Sequence, residues 1–153
     1  ARYFFIMRNT SSHLDFDLDL ARAQSMDNPV WYIQYAHARC CSIFRQAEAA
    51  GISGGAWAQA DLTLLAEPGE LDLVRKMAAF PDEVLSAAIE RAPSRIAKYG
   101  LDVASVFHSF YNECRVISDD TALTMARLAL VDAAKTVIAN ALNIMGIAAP
   151  ERM

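Results

Sequence analysis

The stretch DNPVWYIQYAHARCCSIFRQAE, residues 27–48, combines flat rings with side chains that bond the edges of planar ligands. At about 100° per residue, a helix here places Tyr32, Tyr35, Arg39 and Gln46 on one flank, within an arc of roughly 60°. Tyrosine rings and guanidinium planes stack on unstacked nucleobases, and amide and guanidinium groups bond to base edges. This flank therefore indicates a surface for splayed-out nucleotides.

A second flank of the same kind lies within residues 93–117. His108, Tyr111 and Arg115 recur at intervals of three and four residues, and Asn112 follows just beyond them. On a continuous helix these side chains share one face beside the apolar stripe. Two helices would then present rings, an amide and guanidinium groups together.

A purely structural role is the competing interpretation of both flanks. Tyrosine and arginine often line the rims of helical bundles, with the ring half buried and the polar end in water. His37 falls on the apolar face of its helix, so we expect a hydrogen-bonded core histidine rather than a ligand. Rings sealed inside the core would exclude RNA binding at these flanks.

Catalytic and metal-binding patterns are weak in this sequence. Neither the histidines nor the cysteines have metal-ligand spacing: His13, His37 and His108, and Cys40, Cys41 and Cys114. We expect the cysteines to be small buried side chains in a reducing cytosol. GISGG does not follow a strand and is no nucleotide-binding loop. The carboxylates of DFDLD, residues 15–19, fit an acidic first helical turn better than an ion site.

Composition indicates one helical domain. The chain has 153 residues, is 54% hydrophobic and contains only 6 Gly and 5 Pro. Its net charge of −4 argues against a broad nucleic-acid-coating surface but leaves room for a local site. No apolar run approaches the roughly 20 residues that span a bilayer. No signal peptide is expected either, because the N-terminus lacks a small-residue cleavage site.

Periodicity predicts helix after helix, without a convincing strand. The predicted elements are a short apolar element at 1–8, helices near 15–25 and from 29 to 51, one or two turns near 57–65, two consecutive helices within 67–92, and long helices over 93–117 and 118–146. Asn28 and Pro29 favour a helix start, and Gly51 and Gly146 favour helix ends. For the last helix the expected cap is Ser118 or Asp119. The expected fold is an all-α helical bundle with short connections.

Four motifs resemble the C-terminal region of the arginyl-tRNA synthetase family. They read FDLDLARAQ, NPVWYIQYAHAR, VFHSFYNECRVI and RLALVDAAKTVIANALNIMGIAAPERM, and they span nearly the whole chain. The family usually has tyrosine where Trp31 stands, and Asn-Gly where Asn140 and Ala141 stand. QYAHAR and the final PERM are the most specific of these matches.

The resemblance implies the helical anticodon-binding module called the DALR domain. Residues 26–153 would form this module, and residues 1–25 would be the end of a stem-contact segment from the catalytic core. In the family that core is a class I ligase, which uses ATP to attach arginine to tRNA in the cytoplasm during translation. The core motifs are absent here, and the chain starts at Ala1, so we expect an inactive C-terminal excerpt without its own cofactor.

The resemblance, together with the helix faces, also implies site residues. We expect Tyr32, Tyr35 and Tyr111 to stack bases of the tRNA-Arg anticodon loop. Arg39 and Arg115 would contact phosphate or base edges, and Asn112 would read an edge. Arg152 and Met153 would pack near the same surface. Expected partners are this tRNA and the catalytic domain, not DNA or a membrane; the alternative is a helical protein-interaction module.

Overall fold

The structure, a computed structural model, describes residues 1–8, 16–52 and 54–153, and all regular structure in these ranges is helical. Seven α-helices follow one another: α1 (Arg2–Ile6), α2 (Leu18–Arg22), α3 (Pro29–Ala49), α4 (Pro68–Ala78), α5 (Phe80–Ile89), α6 (Ser94–Glu113) and α7 (Thr121–Ile144). Two 3₁₀ turns, Ala56–Gln59 and Leu62–Leu64, connect α3 to α4. The predicted all-α bundle is confirmed.

The three longest helices, α3, α6 and α7, pack pairwise against one another and form the centre of the bundle. Each contributes fully buried apolar side chains, such as Ile33 on α3, Phe107 on α6 and Ile138 on α7. Helix α4 packs on α6 and α7, and α5 packs on α6. Burial of this shared core fixes α3 beside α6, the two helices that carry the predicted flanks.

Helix ends follow local sequence signals. The Asn28 side chain accepts a hydrogen bond from the Val30 amide (3.2 Å), as predicted for the start of α3. Gly51 and Gly146 adopt φ of 83° and 65° after α3 and α7, a left-handed conformation that glycine reaches without steric penalty. The cap of α7 differs from our prediction: Asp120 accepts from the Leu123 amide (3.0 Å).

Helix α6 is shorter than its periodicity predicts. It ends at Glu113, and Cys114 is extended (φ −116°, ψ 117°). The Arg115 carbonyl accepts a hydrogen bond from Arg127 of α7 (2.8 Å), so a tertiary contact satisfies this carbonyl in place of a helical one. Arg115 therefore reaches the surface from the α6–α7 turn, and its placement on a helical flank with Tyr111 was wrong.

A buried ion pair joins α4 to α7. Arg127 Nε donates to Glu70 Oε1 (2.6 Å), and the Glu70 side chain is fully buried. The other Glu70 oxygen accepts from the Glu67 amide (2.9 Å), which completes a capping box at the start of α4. Arg127 thus connects the first turn of α4 with the turn that carries Arg115.

The N-terminal segment packs onto the same bundle. The Tyr3 hydroxyl donates to the Ala97 carbonyl (3.1 Å) and the Tyr3 ring belongs to the core. Asp17 caps α2 by accepting from the Leu20 amide (2.9 Å), and Asp19 lies in its first turn. Asp15 and His13 lie outside the described residues. The domain boundary at residue 25 stays a prediction. No described helix is long and apolar enough to cross a membrane.

Candidate nucleic-acid interface

Two grooves adjoin each other between α3, α6 and the chain terminus. The first has a volume of about 450 Å³ and is lined by Tyr35, Ala38, Arg39, Ser42, Arg45, Gln46, Tyr111, Arg152 and Met153. The second, of about 590 Å³, is lined by residues of α3, α6 and the α6–α7 turn, among them Asn112 and Arg115. Gln46 and Tyr111 line both grooves, so together they form one continuous concave surface.

The structure brings seven of the eight predicted site residues to this surface. Asn112 and Arg115 are exposed, and so are Arg152 and Met153. Tyr35, Arg39 and Tyr111 are half-buried. The rings are therefore not sealed in the core, the condition that would have excluded RNA.

Tyr32 is the one predicted site residue that does not line this surface. It lines neither groove and packs edge-on against the imidazole of His108, with ring centroids 4.8 Å apart. Tyr32 also packs against the hydrophobic core. The purely structural interpretation, a tyrosine at the rim of the bundle with its ring half buried, describes this residue best.

Arg39 lies between two tyrosines from different helices. Its guanidinium carbon is 4.9 Å from the Tyr35 ring centroid and 4.7 Å from that of Tyr111. Arg39 also donates a hydrogen bond to the Tyr35 hydroxyl. Cation–π contacts of this kind contribute about 0.5–1 kcal/mol each when exposed, and more when desolvated. These contacts hold the planar, positively charged guanidinium of Arg39 at the wall of the first groove.

His108 supports this cluster from α6. Its ring stacks on Tyr35 with centroids 5.7 Å apart and an interplanar angle of 29°. Burial lowers the pKa of His108, and the nearby positive charge of Arg39 lowers it further. The imidazole therefore stays neutral at pH 7 and does not add a second charge beside Arg39.

The C-terminal tail reaches the groove because three side chains of α3 bind its backbone. Gln34 donates to the Ala148 carbonyl (2.8 Å), and Arg45 to the Glu151 carbonyl (3.2 Å). His37 Nδ1 lies 2.9 Å from the Pro150 carbonyl oxygen; because a carbonyl only accepts, Nδ1 carries the proton. His37 is thus a buried, hydrogen-bonded histidine, as predicted, and the tail brings Arg152 and Met153 to the first groove.

The site contains residues that we had not assigned to it. Ser42 and Arg45 line the first groove, and Gln46, noted on the flank but not selected, lines both. Ser42 and Gln46 continue the spacing of Tyr35 and Arg39 along α3, at steps of three and four residues. That helical periodicity was a sufficient signal to find them.

One cysteine and one carboxylate residue, Cys114 and Glu113, line the second groove. Cys40 and Cys114 are buried, Cys41 is half-buried, and all three are free thiols. Burial raises the pKa of the Cys41 thiol above its ordinary value, which disfavours the reactive thiolate. In the ranges that the structure describes, no group of three or more His, Cys, Asp or Glu side chains is arranged to hold a metal ion.

Comparison with known proteins gives the family of the chain. The profile of the DALR anticodon binding domain matches residues 33–153, most of the chain. The chain belongs to this family. The DALR match includes most of α3 and all of α6, α7 and the tail, which are the parts that build the two grooves.

Relatives of this DALR domain are named as ligases. The chain is 55% identical, over its full length, to an arginine–tRNA ligase of Symbiobacterium thermophilum and covers 27% of that protein. A ligase of the same name from Heliobacterium modesticaldum is 54% identical over the whole chain, with 28% of its length covered. The chain thus spans about a quarter of the curated relatives that it matches.

A solved structure likewise matches this chain over one part of its length. Thermus thermophilus arginyl-tRNA synthetase superposes with a TM-score of 0.84 at 33% identity, covering 99% of this chain and 26% of that one. The DALR domain described here therefore corresponds to one part of a longer enzyme in these relatives.

Proposed function

We propose that this chain binds the anticodon loop of tRNA-Arg as the anticodon-binding domain of an arginine–tRNA ligase. The observation that carries the proposal is the continuous surface formed by the two grooves, where Tyr111 and Gln46 join α3, α6 and the tail. A concave surface with exposed amide and guanidinium groups suits single-stranded loop nucleotides, whose edges are free to bond.

Five of the predicted site residues have a distinct chemical role in this proposal. Arg39, Arg115 and Arg152 donate to phosphate oxygens or to acceptors on base edges. The Asn112 amide both donates and accepts, so it reads a base edge. Met153 offers an apolar, polarisable side chain for contact with a base.

The activity of the longer protein is part of the same proposal. Aminoacylation would use ATP and arginine bound by the remaining three quarters of such a ligase, in the cytoplasm, with that catalytic domain as the second partner of this chain. This chain alone should show no arginine-dependent pyrophosphate exchange. Pyrophosphate exchange activity that copurifies with the chain would contradict the assignment of catalysis to the rest of the ligase.

Binding of a short RNA hairpin tests the proposal directly. The probe is a fluorescein-labelled tRNA-Arg anticodon stem-loop, measured by anisotropy at low salt. The matched control is a hairpin with the same stem and a scrambled loop. We expect saturable binding of the first hairpin and at least tenfold weaker binding of the second. Equal affinity for both, or no binding of either, would contradict loop recognition.

A further inference from the structure

The Arg39 guanidinium is already sandwiched in the free chain. It lies over Tyr35 on its own helix and over Tyr111 on α6, at centroid distances of 4.9 and 4.7 Å. Tyr35 also accepts a hydrogen bond from it. Because two helices hold one cation, its position depends on how α3 packs against α6.

Both tyrosine rings have a second planar neighbour as well. Tyr35 stacks with His108 at 5.7 Å, and Tyr111 stacks with Phe107 at 6.4 Å and an interplanar angle of 27°. Phe107 is fully buried, so it anchors the stack in the core. The sequence-based expectation that these two rings stack bases needs open ring faces, and the planar neighbours already use them.

The guanidinium, in contrast, keeps free hydrogen-bonding capacity. Among the described residues, no carboxylate forms an ion pair with Arg39. The Tyr35 and Tyr111 hydroxyls use part of a fork that carries five N–H donors. Arg39 lines the first groove together with Arg152. A half-buried cation without an anion at a groove wall favours a ligand with paired acceptors.

We propose that Tyr35 and Tyr111 act through Arg39: the two rings clamp its guanidinium so that the remaining N–H donors face paired acceptors on the anticodon loop. This inference rests on the proposed function and assigns the two rings as positioning residues rather than base-stacking platforms. The acceptors are two phosphate oxygens or the paired acceptors of a base edge, such as guanine O6 and N7. The clamp holds the fork in place before RNA arrives, so little side-chain entropy is lost on binding.

A double-mutant cycle separates a clamp from direct stacking. Affinity for the tRNA-Arg hairpin is measured for wild type, Arg39→Ala, Tyr111→Ala and the double variant. We expect roughly 10- to 100-fold weaker binding for Arg39→Ala, and no further loss when Tyr111→Ala is added to it. If the two losses multiply in the double variant, Tyr111 contacts the RNA independently and the inference is overturned.

Tyr111→Phe serves as the matched control. It keeps the ring beside Arg39 and Phe107 and removes the hydroxyl, which also bonds Arg39, so we expect a clearly smaller loss of affinity than for Tyr111→Ala. Circular dichroism and urea titration establish that each variant is folded under the binding conditions. A loss as large as that of Tyr111→Ala would show that the ring does not position Arg39, and would overturn the clamp.

A spectroscopic readout follows Arg39 itself. Ring currents from the two tyrosines displace its Nε–H resonance in NMR spectra of the free chain, assigned by comparison with Arg39→Lys. We expect the displacement to persist when the hairpin is bound. A shift to the value of an unstacked arginine would mean that Arg39 leaves the clamp and that a base replaces it, which contradicts the inference.

Modified hairpins identify the acceptor. Single methylphosphonate linkages test each loop phosphate, and single abasic sites test each base. If a hairpin modified at one position binds wild type and Arg39→Ala with equal affinity, that position is the one that Arg39 contacts. A phosphate and a base at that position would each support the inference. If every position keeps the difference between the two proteins, Arg39 has no specific acceptor and the inference fails. Absence of hairpin binding by the wild type would instead overturn the proposed function, and the clamp with it.

Discussion

The backbone and the side chain of Arg115 make separate contributions. Its carbonyl oxygen holds Arg127 of α7, whereas its side chain is exposed in the second groove. The backbone contact therefore survives any side-chain truncation, and the guanidinium is free for RNA.

Truncation of Arg115 should weaken RNA binding without weakening the fold. For Arg115→Ala we expect a loss of roughly 1–3 kcal/mol in hairpin affinity and an unchanged urea midpoint. Arg75→Ala is the matched control, because Arg75 is 70% exposed and lines neither groove. Equal effects of the two substitutions would indicate general electrostatic attraction rather than a contact at the groove.

The neutral state of His108 gives the fold a pH dependence. Its pKa in the folded chain is lowered, by burial first and by Arg39 second. The unfolded chain therefore binds a proton more readily, so stability is full above the ordinary histidine pKa of about 6.5 and falls as pH drops below it.

We expect acidification from pH 7.5 to pH 5 to lower the urea midpoint of the wild type more than that of His108→Phe. The phenylalanine keeps a flat ring against Tyr35 but cannot be protonated. Carboxylates contribute equally to both proteins, so the difference between them isolates His108. Parallel midpoints across this range would show that His108 titrates outside the folded cluster.

At the scale of elements, Arg127 connects Glu70 of α4 with the turn that follows α6. Replacing Arg127 by leucine leaves a fully buried carboxylate without its partner and frees the Arg115 carbonyl. Loss of one member of a buried pair typically costs about 3–5 kcal/mol.

We therefore expect Arg127→Leu to reduce the free energy of unfolding by several kcal/mol, measured by urea titration. The double variant Glu70→Leu with Arg127→Leu should recover much of this loss, because it removes both charges. Arg75→Leu breaks the exposed pair with Asp72 and should change stability by less than about 1 kcal/mol. A double variant as unstable as Arg127→Leu would contradict the charge argument.

We expect the last two residues of the tail to contribute to RNA binding but not to stability. Arg152 and Met153 are exposed, whereas the tail is anchored through residues 148–151. Deleting these last two residues should weaken hairpin binding severalfold and leave the thermal unfolding midpoint within about 1 °C, since little apolar area is lost. Reduced stability together with reduced affinity would assign the two residues to the fold instead.

Local signals predicted the helices well and the tertiary contacts poorly. The limits of α3 follow from Asn28, Pro29 and Gly51, whose effects act within one turn. The end of α6 does not, and just beyond it the Arg115 carbonyl bonds Arg127, 12 residues away. The clamp around Arg39 likewise depends on the register between α3 and α6. Sequence periodicity gives the face on which each side chain lies but not the depth at which it packs.

At the scale of the whole molecule, positive charge is concentrated rather than abundant. The net charge is −4, yet four arginines line the two grooves: Arg39, Arg45, Arg115 and Arg152. A locally basic groove on an acidic protein binds few phosphates and repels the rest of a nucleic acid.

The salt dependence of hairpin binding should therefore be shallow. Each phosphate contact to a single strand contributes about −0.7 to the slope of log K against log salt concentration, so four arginines give a slope no steeper than about −3. Anisotropy titrations between 50 and 300 mM KCl would measure it. A much steeper slope would require cations outside the grooves, and an unchanged slope in Arg39→Ala would favour a base rather than a phosphate as the acceptor of Arg39.

The tail is anchored through its backbone oxygens, by Gln34, His37 and Arg45 of α3. We therefore expect substitutions to be tolerated better in the tail than at the three α3 positions. Residues 148 and 151 are free to vary in side chain while the path of the terminus stays fixed. A saturation library scored for RNA binding should accept most changes at these two positions and few at the three α3 positions.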